Sequence, residues 1–142
     1  MITLKKATKN DWQIILDFEK AANSQTFHAM TTKKEIHDFL ENNKVFFIGS
    51  ENKTVGLIGY EPKQDTNYIS ELIIGAEYQN KGFATQAIKE LVKTLGDKPC
   101  ELHTHPENIS AIIVYLKSGF KIKGWLDNYY GDGEPRILLI KE

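Results

Sequence analysis

Glu77-Tyr78-Gln79-Asn80-Lys81-Gly82-Phe83-Ala84-Thr85 follows directly on the apolar run Tyr68-Ile69-Ser70-Glu71-Leu72-Ile73-Ile74 and runs directly into an amphipathic helical pattern. A strand feeding a small-residue turn that opens a helix aims several backbone N–H groups at one point, with the helix dipole behind them. That arrangement holds a pyrophosphate. Gly82 and Ala84 suit it because larger side chains would keep the phosphate off the backbone. The cradle is of neither common nucleotide type, because the chain contains no G-x-x-x-x-G-K-[ST] and no G-x-G-x-x-G.

Outward from this stretch the chain reads as one domain of 142 residues, long enough to bury a sizeable core. The apolar fraction of 41% and charged fraction of 26% are those of an ordinary globular protein, and a net charge of −1 argues against a nucleic-acid binder. No apolar run approaches the roughly 20 residues that cross a bilayer, so no membrane association is expected. Cys100 is the only cysteine, which excludes an internal disulfide, and the N-terminal residues lack the apolar core of a signal peptide. A cytoplasmic setting is the expectation, with either a monomer or a homodimer compatible with the sequence.

Ile2, Leu4 and Lys6 open an alternating strand, and Thr8 to Asn10 supply caps for a helix carrying Trp12, Ile15, Leu16 and Phe18. A polar loop over 23–30 leads to a second helix from Thr32, with Ile36, Phe39 and Leu40, that stops near Asn42-Asn43. Val45–Ile48 and Val55–Tyr60 form a hairpin through residues 50–53. Residues 68–74, apolar on both faces apart from Ser70 and Glu71, read as a central strand. Ala84, Ile88, Leu91, Val92 and Leu95 lie at offsets of four, seven, eight and eleven, on one helix face that Gly96 ends. A strand over 100–105, a helix over 108–118 closed by Gly119, and strands at 120–123 and 136–140 complete the chain. The order β-α-α-β-β-β-α-β-α-β-β implies an α/β fold, a mixed sheet with helices on both faces.

Gln79-Asn80-Lys81-Gly82-Phe83-Ala84 resembles the Q/R-x-x-G-x-G/A loop of the GCN5-related N-acetyltransferases, the GNAT family. Asn108-x-x-Ala111-x-x-x-Tyr115-x-x-x-Gly119-Phe120 resembles that family's N-x-x-A-x-x-x-Y-x-x-x-G-F motif, and the element order is similar from end to end. The resemblance implies the GNAT fold, a single, mostly antiparallel sheet of about seven strands. It also implies transfer of an acetyl group from acetyl-CoA to a primary amine, directly and through a tetrahedral intermediate, with no metal.

By the same resemblance the backbone of Leu72, Ile73 and Ile74 pairs with the pantetheine arm. Gln79, Asn80, Lys81, Gly82, Phe83, Ala84 and Thr85 hold the pyrophosphate. Asn108, Ala111 and Tyr115, three and four residues apart, share one helix face that can line the cofactor arm. The family's acid, which protonates the leaving thiolate, corresponds to Tyr115. The base has two candidates. Glu71 is a carboxylate among apolar strand neighbours, an expensive position without solvent or a partner, and many family members carry a glutamate there. His103 stands where the ribosomal-protein N-terminal acetyltransferases carry a glutamate, and imidazole titrates in the right range. His103 and His105 alternate on a strand, but no third ligand accompanies them, so no metal is expected.

The acceptor belongs between the first interhelical loop, which carries Phe27, and the last hairpin. Asn128-Tyr129-Tyr130-Gly131-Asp132-Gly133-Glu134 resembles the Y-Y-x-D-G-E hairpin with which protein N-terminal acetyltransferases clamp a peptide, implying substrate contacts at Tyr129 and Tyr130. Pro135 and the absence of an L-P-E-x-Y segment depart from that subfamily. The acceptor is therefore either a protein N-terminus or a small amine. A non-catalytic acyl-CoA sensor or interaction module would keep the turn and need no base.

Overall fold

A computed structural model of the chain describes residues 1–24 and 27–142. Gln25 and Thr26 of the expected interhelical loop lie outside the described residues. The described strands are β1 (Thr3–Lys6), β2 (Lys44–Ser50), β3 (Lys53–Pro62), β4 (Asn67–Ile74), β5 (Cys100–Thr104), β6 (Lys121–Leu126) and β7 (Arg136–Lys141). The helices are α1 (Trp12–Ala22), α2 (Lys33–Asn42), α3 (Phe83–Thr94) and α4 (Ile109–Lys117). The expected order of elements is therefore the observed one, in a single seven-stranded mixed sheet ordered β1-β2-β3-β4-β5-β7-β6.

β7 inserts between β5 and β6. Its Ile137 and Leu139 are buried, as an interior strand requires, whereas β6 alternates lysines with exposed Ile122 and Trp125 and takes the edge. Two apolar clusters sit on opposite faces of the sheet. Ile88, Leu91 and Tyr115 of α3 and α4 meet Ile69, Leu102 and Leu139 on one. Ile15 and Leu16 of α1 and Ile36 of α2 meet Val45, Leu57 and Ile73 on the other.

Two features of β4 place the site. Its only parallel pairing with β5 is Asn67 to Cys100 and Tyr68 to Glu101. Beyond Tyr68 the strands part, and the β5-facing main-chain groups of residues 69–74 have no strand partner. The second feature is a bulge. Gly59 pairs with Glu71 and Tyr60 with Ile69, which leaves Ser70 unmatched. The bulge switches the alternation, so Leu72 and Ile74 join Ile69 on the α3–α4 face and Ile73 points to α1 and α2. Glu71, two residues before Ile73, shares its face.

Capping reads as the sequence implies. The Thr32 Oγ1 accepts from the Glu35 N–H at 3.2 Å, and the Glu35 carboxylate accepts from the Thr32 hydroxyl at 3.0 Å. The hydrogen bonds from Thr32 and Thr31 hold the Glu35 carboxyl below the usual range. Thr32→Ala is expected to cost about 1 kcal/mol, read as a shifted urea midpoint with an unchanged slope.

Candidate functional site

The turn after β4 is built by backbone geometry. Asn80 and Gly82 both take positive φ, 63° and 84°, on either side of Lys81. Two left-handed residues so spaced fold successive amides into a concave nest. Gly82 is the N-cap of α3 and donates no side-chain cap; the first intrahelical bond runs from Gln86 N–H to Gly82 carbonyl. The first-turn amides therefore face outward, and only Gln86 Nε2, at 3.7 Å, lies near the space a Gly82 Cβ would occupy. Gln79 fastens the turn to the strand end by donating its side-chain N–H to the Ile74 carbonyl at 3.1 Å.

This turn forms one end of a cleft of about 590 Å³. Leu72, Ile73, Ile74, Gln79, Asn80, Gly82, Phe83, Ala84 and Thr85 line it from β4 and the turn, and Asn108, Ala111 and Tyr115 line it from α4. Lys81 does not line it. Asn108 is spent on the helix, since its Oδ1 caps α4 by accepting from the Ala111 N–H at 3.4 Å. Phe27, expected on the acceptor side, lies in this same cleft wall. The residues fit a coenzyme: uncapped amides suit a diphosphate, and the main-chain groups of β4 that β5 does not pair suit an amide-bearing arm.

Tyr115 is 8% exposed, its ring tilted against Phe120 at 5.9 Å. Burial, and then the neighbouring Glu71 carboxyl, push its phenol well above the ordinary value. Glu71 is 7% exposed and, among the described residues, pairs with no lysine. It faces Glu19 of α1, which is 1% exposed. Burial, followed by the carboxyl–carboxyl hydrogen bond and charge of Glu19, push Glu71 well above the usual carboxylate range; the Leu72 N–H opposes this weakly.

His103 is placed apart from the cleft wall. It alternates with Leu102 of the α3–α4 cluster, so it faces the α1–α2 side. Its Nδ1 lies 2.9 Å from the Tyr68 hydroxyl and its ring stacks on Tyr129 at 4.2 Å. Burial lowers its pKa, so it is neutral at neutral pH. Tyr130 meets Tyr129 edge-on at 4.7 Å, with the Arg136 guanidinium 5.0 Å from its ring centre. Tyr129 and Tyr130 thus gather with Tyr68 around His103. His105 belongs to neither group: its Nδ1 accepts from the Glu107 N–H at 3.0 Å and its Nε2 lies 3.4 Å from Glu134. Cys100 is buried, which raises its thiol pKa.

Two residues here escaped the sequence reading. Glu19 carried a usable signal, a carboxylate at helical spacing from Ile15 and Leu16 on the buried face. Tyr68 carried none, because its contact with His103 depends on how β4 and β5 pair.

The family model described as "Acetyltransferase (GNAT) family" matches residues 11–120. The Cysteine-rich protein 2-binding protein of Mus musculus is 31% identical over 80 residues, 56% of this chain, which spans about a tenth (10%) of that protein's length. The ribosomal-protein-S18-alanine N-acetyltransferase from Escherichia coli superposes with a TM-score of 0.84 at 20% identity, covering 99% of this chain and 93% of that one. A GNAT family acetyltransferase from Elizabethkingia anophelis with acetyl-CoA bound superposes at 0.77 with 19% identity, covering 99% and 97%. At these identities the superpositions speak to fold. The matched turn, cleft and α4 face lie within 11–120, and the chain belongs to the GNAT acetyltransferase family.

Proposed function

We propose that the protein moves an acetyl group from acetyl-CoA to a primary amine by direct transfer. The observation that carries this reading is the continuity of one cleft, from the uncapped amides at Gly82, along the unpaired edge of β4, to the Tyr115 hydroxyl. Acetyl-CoA supplies the acyl carbon. The nest at 80–85 holds its diphosphate, and residues 72–74 align its arm. Tyr115 stays protonated in its buried position and delivers a proton to the leaving thiolate.

The amine arrives from the α1–α2 face, past Tyr129 and Tyr130, through the gap where β4 and β5 separate. Two groups on that face can take its proton. Glu71 is favoured over His103, because its charge reaches Tyr115 whereas His103 is engaged by Tyr68 and Tyr129. A protein N-terminus or a small amine fits this approach equally. The protein is read as a single acetyltransferase domain.

The test is a thiol-release assay with acetyl-CoA over a panel of peptides and small amines, beside calorimetric binding of acetyl-CoA. Turnover on at least one amine is expected. Tight binding with no release across the panel would favour a sensor on the same fold and defeat the enzyme reading.

A further inference from the structure

Glu19 is a buried carboxylate with one backbone donor and no cation. Its Oε1 accepts from the Met30 N–H at 2.9 Å, and its Oε2 is buried with no described hydrogen-bond partner. Neither Glu19 nor Glu71 takes part in a described ion pair. The neighbouring side chain that interacts with the Glu19 carboxyl is that of Glu71, itself 7% exposed. Two carboxyls in contact, away from water and cations, are bound together only if a proton sits between them; two bare charges there would repel strongly.

We propose that Glu19 is a positioning residue for the transfer: its carboxyl and that of Glu71 hold one proton between them, and the pair accepts a second from the acceptor ammonium. The inference rests on the acetyltransfer reading above. The ammonium gives one proton to the pair. As the C–N bond forms and the C–S bond breaks, the excess proton left on nitrogen ends on the coenzyme thiol by way of Tyr115. The pair then returns its own to solvent. Because Glu19 also holds Met30, the proton state of the pair is tied to the loop that follows α1.

The surroundings leave few other titrating groups. Glu19 of α1 and Tyr115 of α4 both neighbour Glu71, and β3 presents Gly59 opposite Glu71. On β5, His103 is taken by Tyr68 and Tyr129. On α2, His37 has a buried Nε2 with no described partner.

A proton held in the folded state at neutral pH has a definite sign for stability. Glu71 titrates higher folded than unfolded, so its contribution is fully present below the unfolded value of about 4.5 and is lost as pH rises through the folded one. An amide at position 19 can still accept from Met30 and can donate to a Glu71 carboxylate. Glu19→Gln should therefore melt at the same temperature as wild type below about pH 4.5 and above it at alkaline pH.

The experiment combines three readouts. Infrared spectroscopy of wild type at neutral pH should show a protonated carboxyl stretch that Glu19→Gln and Glu71→Gln both remove. The melting difference between wild type and Glu19→Gln should open with rising pH. kcat/KM for the amine should fall about tenfold in Glu19→Gln, with the KM for acetyl-CoA unchanged. Absence of that stretch in wild type, which needs no variant to fold, overturns the proposal. So does a melting difference that is constant with pH, or an unchanged kcat/KM. If the stretch is present but wild type acetylates no amine, the acetyltransfer reading fails instead.

Discussion

Tyr115→Phe is expected to lower kcat about 10²–10⁴-fold, the range for a lost general acid, while acetyl-CoA affinity changes less than about twofold. The substitution keeps the ring against Phe120 and removes only the hydroxyl, which no described protein group hydrogen-bonds. The fold therefore loses little, and calorimetric binding of acetyl-CoA should be nearly that of wild type. The leaving thiolate, however, loses its proton donor. The raised pKa of Tyr115 gives the sign of the pH dependence. The phenol remains protonated through its ordinary value of about 10, so it should impose no alkaline decline on the wild-type rate below that pH. An unchanged kcat in the variant, on an acceptor that wild type turns over, would remove Tyr115 from the reaction.

Gly56→Ala is expected to destabilise the fold by about 3 kcal/mol or more. A Cβ at Gly56 would lie 2.1 Å from the Ile73 carbonyl oxygen and 3.1 Å from both the Ile73 carbonyl carbon and the Ile74 Cα. All three are backbone atoms of a paired central strand and no rotamer relieves the clash. Either β3 and β4 separate locally or the chain between Val55 and Leu57 shifts, and both rows of ladder hydrogen bonds suffer. Because the displaced atoms belong to Ile73 and Ile74, acetyl-CoA affinity should fall together with stability. Urea denaturation and calorimetry on the same sample check both. A midpoint within about 0.5 kcal/mol of wild type would show that the strands can part at little cost.

Local chemistry explains which parts of the molecule were legible beforehand. The boundary of α3 could be read because Gly82 is required where φ is +84° and Gly96 where it is +75°. Asn108 and Gly119 mark the ends of α4 for the same kind of reason, an Oδ1 acceptor and a φ of +96°. The cleft residues 72–85 follow from these, since a strand, a turn and a helix in immediate succession cannot lie far apart. Phe27 lines the same cleft as the turn and the α4 face. It also packs on the α1–α2 cluster that holds Ile15, Leu16 and Ile73, a contact that no local pattern around position 27 announces.

The contrast between Glu71 and His103 shows what local reasoning cannot reach. Both stood in the sequence as isolated ionisable groups on strands. The bulge at Ser70 turns Glu71 toward α1 and into contact with Glu19, 52 positions earlier. The pairing of β4 with β5 brings Tyr68 within 2.9 Å of His103, from 35 positions away. From residues and spacing alone came the element order, the strand–turn–helix corner at Gly82 and the shared face of Asn108, Ala111 and Tyr115 on α4, because those depend on φ preferences, caps and periodicity within about a dozen residues. The tertiary structure alone decided that β7 separates β5 from β6, that β4 and β5 part to open the cleft, and that two carboxyls share one buried site. Those outcomes arise from strand pairing and burial between distant segments, where no single stretch of chain carries the determining contact.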